Sequence, residues 1–127
     1  MRQIKVFGDI MLDEWVYGNL SKYSVEAPIK IFTTNKLDYS LGGVGNLAAN
    51  LKSLNINLKL FSSIGSDDYG NKIKEILLKK KINFQLFHRS QTTLKRRYFI
   101  KNQNLFRNHV EKFEKENNFE KINLKNN

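Results

Sequence analysis

The sequence predicts an α/β fold, with at least some parallel pairing and a second small sheet beside the first. Two observations lead there. Short apolar strands alternate with two helical stretches up to about residue 87, the order that builds βαβ units. Extended segments at 11–17, 29–40 and 94–107 have no place in that layout and need a sheet of their own.

Ile4, Val6 and Phe7 form a short buried strand that ends at a polar turn, Gly8-Asp9. Met11 to Tyr17 is extended and aromatic, and Gly18-Asn19 marks a turn. Ile29 to Thr34 alternates apolar and polar residues, as a strand with one wet face does. Leu37 to Ser40 leads into a glycine cluster. From Val44 the period changes: Val44, Leu47, Ala48, Leu51 and Leu54 fall on one helical stripe. Leu58 to Ser63 is the next strand, and Gly65 follows it. Asp67 is placed to cap a helix reaching Lys81, with Tyr69, Ile73, Ile76 and Leu77 on its buried side. Asn83 to Phe87 is another strand. Leu94 to Ile100 and Asn104 to Arg107 form a hairpin around Lys101-Asn102-Gln103. Glu111 to Asn127 is charged and amidic, and reads as an amphipathic helix or a frayed tail.

At 127 residues, 40% hydrophobic and 12% aromatic, the chain is expected to fold around one core. Without cysteine it has no disulfide or thiolate metal site, and a cytoplasmic setting is the default. No window approaches the ~18 apolar residues of a membrane span, and the N-terminus lacks a signal-peptide core. The net charge of +10 raises the question of nucleic acid. The lysines, however, are spread along the chain among sixteen asparagines, a compositional bias rather than a binding face. Neither nucleic acid nor membrane is expected as a partner.

Gly42-Gly43-Val44-Gly45-Asn46 sits where a strand hands over to a helix. Glycines there either pack a tight turn or bring backbone N–H groups close to a ligand. Asn46 carries donors and an acceptor, as a sugar hydroxyl requires. The segment lacks the Gly-Lys-Ser/Thr of a phosphate loop and the spacing of a dinucleotide fingerprint. Asp9 closes the first strand at the sheet's carboxyl edge, where open α/β folds bind ligands; the plain alternative is a turn carboxylate. Asp13 reads as a solvated strand residue. Lys95 and Arg97 share one face of the hairpin while Arg96 points the other way, and Gln103 and Arg107 lie nearby in sequence. Two cations on one face either grip a phosphate or protect a sheet edge. His88 and His109 read as solvated loop residues, with no carboxylate at metal-ligand spacing.

VFGDIMLDEWVYG, KYSVEAPIKIF, LGGVGNLAANLKSL, IGSDDYG and LKRRYFIKNQNLFR occur in that order. Together they resemble the ribokinase-like (PfkB) carbohydrate kinases, from about residue 4 to residue 107. The Met11-Leu12-Asp13 opening and the Ser24 to Pro28 stretch favour, within that family, kinases of D-glycero-β-D-manno-heptose 7-phosphate. The resemblance implies a mainly parallel α/β domain with a small β-sheet lid, its strands at about 11–17, 29–40 and 94–107. The lid often forms a dimer contact, so a homodimer is implied. It further implies that Asp9, Asp13, Gly42, Gly43 and Asn46 bind the sugar. Lys95, Arg97, Gln103 and Arg107 match the motif that closes over a phosphorylated sugar. ATP and Mg²⁺ are the family's phosphate donor and metal, and the product leads towards nucleotide-activated heptose for lipopolysaccharide.

The sequence departs from the family pattern in places. Val44 follows the paired glycines where a small residue is usual, and Asn55 stands where a glycine is usual. Val25 and Lys30 replace prolines, Leu94 a threonine and His109 an aspartate. The family's Gly-Ala-Gly-Asp, whose aspartate takes the proton of the attacking hydroxyl, does not occur in these residues. Residues 1–110 are therefore expected to form the substrate-binding part of a sugar kinase that is inactive alone. The alternative is a non-catalytic sugar-phosphate-binding or lid-dimerisation module derived from such a kinase.

Overall fold

In a computed structural model of the chain, residues 2–23, 26, 29–100 and 103–111 are described. Most of the Ser24 to Pro28 stretch, the hairpin tip Lys101-Asn102 and segment 112–127 lie outside them. The described chain runs β1 (Ile4–Phe7), β2 (Ile10–Tyr23), β3 (Lys30–Gly43), α1 (Val44–Ser53), β4 (Leu58–Ile64), α2 (Asp68–Lys79), β5 (Asn83–His88), β6 (Leu94–Ile100) and β7 (Gln103–Val110). Two sheets result, as the sequence predicts. The first is parallel, in the order β1-β4-β5. The second has the order β3-β2-β6-β7, with β2 antiparallel to β3, β6 antiparallel to β7, and β2 parallel to β6.

Both helices lie on one face of the parallel sheet, as two right-handed crossovers in the same direction require. Val44 and Ala48 of α1 and Ile73 and Leu77 of α2 join Val6, Leu58, Leu60 and Ile64 in one buried cluster. The root of the second sheet enters the same cluster through Ile10, Leu12, Leu41 and Leu94. Each such aliphatic side chain stabilises the fold by about 1.5–3 kcal/mol. The cluster therefore fixes the second sheet against the carboxyl ends of the first.

Two joints hold that junction. The buried Ser62 hydroxyl donates to Gly8 O (2.7 Å) and accepts from Ile10 N (2.9 Å), tying β4 to the loop that carries Asp9. Asp67 caps α2 as expected: Oδ1 accepts from Gly70 N (2.7 Å) and Oδ2 from Thr92 N (2.9 Å). Burial works to raise its carboxyl pKa, but the hydrogen bonds from Thr92 and Gly70 outweigh this and hold it below the usual range. Thr92 Oγ1 accepts from Gly65 N (2.9 Å), so α2, the end of β4 and the entry to β6 share one network.

Several expectations are corrected. Gly18 does not turn the chain: β2 continues through it, with a register shift between Tyr17 and Gly18. A Cβ on Gly18 would collide with Thr33 O and with the Phe32 ring at 2.5 Å, so close strand approach selects the glycine. Ile29, just before β3, and Ile31 on it are exposed, whereas Phe32 meets Tyr98 edge-on at 5.4 Å. On α1 the stripe is narrower than predicted: Leu47 is 50% exposed and Leu54 70% exposed. His88 ends β5 and His109 lies within β7, so neither is a loop residue. Asn55, standing in place of glycine, has φ 61°. The backbone there is left-handed, and asparagine is among the residues that tolerate this.

Candidate functional site

Register builds one face of the second sheet. Asp13 on β2 lies opposite Ser40 on β3 and Lys95 on β6; Trp15 lies opposite Asp38 and Arg97. On β7, His109 and Arg107 lie opposite Lys95 and Arg97. Residues paired in register share a face. Lys95 and Arg97 thus stand on the same side, as their spacing predicts, and Asp13 joins them. Arg96 points to the other side. There its Nη2 meets Glu14 Oε2 at 3.1 Å and donates to Tyr69 Oη on α2 at 2.9 Å. Burial works against the Arg96 cation, but the hydrogen bond and negative charge of Glu14 outweigh it and raise its pKa.

Asp13 is not the solvated carboxylate its sequence position suggests. Its side chain is 15% exposed and that of Arg97 16%, with Oδ2 and Nη1 3.5 Å apart. Asp13 Oδ1 and Arg97 Nη1 are both buried, and neither has a hydrogen-bond partner among the described residues. Burying a charged group with unused hydrogen-bonding capacity is costly. Such a pair is suited to a ligand that donates to one and accepts from the other.

The glycine cluster forms the neighbouring wall. A Cβ on Gly42 would sit 3.0 Å from Asp13 Oδ1 and 2.6 Å from Met11 Cγ, so any side chain there fills the space beside the carboxylate. Gly43 has φ 60° and lies so close to Asp9 O that a side chain could not be accommodated. Val44 N donates to the same carbonyl at 2.9 Å, pinning the start of α1 to the β1–β2 loop. No side chain caps α1 and no acidic residue lies in its first turn. Its amide end is therefore left positive on the side of the glycines.

The structure brings together Asp13, Gly42, Lys95 and Arg97, with Arg107 exposed on the neighbouring strand. Asp9 and Asn46 are exposed at the adjoining loop and helix start. Gln103 pairs with Ile100 at the far end of the hairpin. Ile100 lies three residue steps along β6 from Arg97, about 10 Å. Among the described residues no group of three or more His, Asp or Glu side chains is placed to hold a metal ion. No helix among them is long and apolar enough to cross a membrane.

Sequence reasoning missed Trp15, Ser40, Ser62 and Thr92. Trp15 Nε1 donates to Ser40 Oγ at 3.0 Å, and the Arg97 guanidinium lies over the indole at 4.6 Å. The available signal was the two-residue period of β2, which puts Trp15 on the Asp13 face. For Ser62 it was a serine inside an apolar strand run.

Residues 1–126 match the pfkB family of carbohydrate kinases. A bifunctional protein HldE from Campylobacter concisus is 40% identical over 84 residues, covering 66% of this chain and 18% of that protein. One from Coxiella burnetii is 37% identical over 113 residues, covering 87% of this chain and 24% of that protein. The chain thus spans a quarter or less of these relatives' length. Among solved structures, a carbohydrate kinase from Agrobacterium tumefaciens superposes with a TM-score of 0.70 at 18% identity. That match covers 87% of this chain and 36% of the other.

Proposed function

Since the chain belongs to the pfkB family of carbohydrate kinases, we propose that the Asp13–Arg97 face holds the phosphorylated sugar that accepts phosphate from ATP. The observation that carries this reading is the pair itself: two largely buried, oppositely charged groups, each with an atom that has no hydrogen-bond partner among the described residues. Through the 15–16% of each side chain that stays exposed, a sugar hydroxyl would donate to the Asp13 carboxylate and a phosphate oxygen would accept from the Arg97 guanidinium. Lys95 and Arg107 add positive charge on the phosphate side. Gly42 leaves room for the ring. Asp9, Gly43 and Asn46 provide polar groups and backbone at the opposite wall, and Gln103 is assigned to the site on the family motif alone.

The substrate assigned is D-glycero-β-D-manno-heptose 7-phosphate, on the strength of the Met11-Leu12-Asp13 and Ser24 to Pro28 segments and the HldE relatives. The whole enzyme would phosphorylate its anomeric hydroxyl, with ATP and Mg²⁺ supplying the phosphate. The described residues would hold the acceptor, and transfer would require groups beyond them, so the 127 residues are expected to bind without turning over. Pairing of two chains through the second sheet, and a cytoplasmic setting, complete the assignment.

Calorimetric titration of the chain with heptose 7-phosphate and with unphosphorylated heptose tests this. Phosphate-dependent binding is expected. Arg97→Gln should weaken it by about ten- to a hundredfold, the range for a charge-assisted hydrogen bond. Equal affinity for the two sugars, or an unaffected Arg97→Gln protein, would count against the reading.

A further inference from the structure

Arg97 ends a ladder of stacked groups across the proposed binding face. Its guanidinium lies 4.6 Å from the Trp15 ring centroid; Trp15 stacks on Phe99 at 5.6 Å, and Phe99 on Tyr17 at 5.4 Å. Lys36 Nζ, paired with Asp38 at 3.2 Å, lies 5.7 Å from the Tyr17 ring at the other end. Cations cap both ends of three aromatic rings. Trp15 and Tyr17 thus each contact both a cation and the Phe99 ring. The ladder restrains Arg97. A guanidinium lying against an indole loses rotational freedom but keeps its N–H edge, which is where it binds an anion. Ser40 fixes the indole in turn by accepting from Trp15 Nε1 at 3.0 Å.

We infer that Trp15 is the positioning residue for Arg97: held by Ser40 and Phe99, it aims the guanidinium edge at the phosphate of the bound sugar. The inference rests on the reading of the Asp13–Arg97 face given above. Trp15 is the only tryptophan in the chain, so its emission reports directly on this contact. An anion drawn to the Arg97 edge changes the charge over the indole face and hence its fluorescence.

The test is a fluorescence titration of the chain with heptose 7-phosphate and, separately, with unphosphorylated heptose. Calorimetry of the Trp15→Phe and Trp15→Leu proteins with the phosphorylated sugar runs alongside. A saturable change is expected with the phosphorylated sugar alone, and it should vanish in Arg97→Gln. Trp15→Leu should bind the phosphorylated sugar about five- to tenfold more weakly, as loss of a partly desolvated cation–π contact implies. Trp15→Phe, which keeps a ring face, should recover most of that loss. Should Trp15→Leu misfold, as judged by circular dichroism, the wild-type emission and the Trp15→Phe affinity still decide the matter. Silent emission on binding, or a folded Trp15→Leu protein within twofold of wild type, would overturn the positioning role while leaving the binding face intact. Failure of the wild-type chain to bind the phosphorylated sugar would overturn both.

Discussion

At Asp13, sequence and structure part company over one carboxylate. Its place in a strand suggests a hydrated side chain, yet the sheet buries it beside Arg97 and against Gly42. The consequence for Gly42 is direct. Gly42→Ala puts a methyl group 3.0 Å from Asp13 Oδ1 and 2.6 Å from Met11 Cγ. It should weaken phosphosugar binding at least as strongly as Asp13→Asn, in the same calorimetric titration. Asp67 gives a pH-dependent counterpart. Its carboxyl is held below the usual range in the folded chain, so it stabilises above the unfolded value and that gain is lost as pH falls. Asp67→Asn keeps an acceptor for Gly70 N but turns an amide NH2 towards Thr92 N, and should cost about 1–3 kcal/mol at neutral pH, as a donor left unsatisfied does. The gap to wild type should close below about pH 4, read by denaturant melts across pH.

Among the elements, β2 carries most of the design. Its even positions Leu12, Glu14 and Val16 are buried, while its odd positions Asp13, Trp15 and Tyr17 form the proposed binding face. The period was legible in the sequence; the direction of each side was not, because both sets are rich in large residues. Gly18 misled for a related reason. A glycine inside an extended run signals either a turn or a close approach, and only the Thr33 and Phe32 partners on β3 decide which. Gly18→Val should destabilise the chain markedly and shift the β2–β3 register. The lowered thermal midpoint and altered near-ultraviolet dichroism would show it. The α1 stripe failed at Leu47 and Leu54 because helical period fixes which residues share a side, not what covers that side.

For the whole molecule, the two helices cover one face of the parallel sheet. The other face presents Phe7, 40% exposed and stacked on Phe61 at 4.8 Å, with Lys59 over the Phe61 ring. Leu47, Leu54 and Leu78 add exposed apolar surface on the helices. The 127-residue polypeptide alone is expected to self-associate and to bind a hydrophobic dye such as ANS. Light scattering and dye fluorescence check this, and a monodisperse monomer with a sharp melt would contradict it. Strand and helix order, the glycine junction, the Asp67 cap and the Lys95–Arg97 side all follow from local spacing, which the chain carries in its own residues. The meeting of Asp13 with Arg97, the seating of Arg97 on Trp15 and the Glu14–Arg96–Tyr69 contact each join residues far apart in sequence. They depend on β2 and β6 lying side by side in one register, and that pairing is fixed only when Leu12, Leu41 and Leu94 are buried together in the common core.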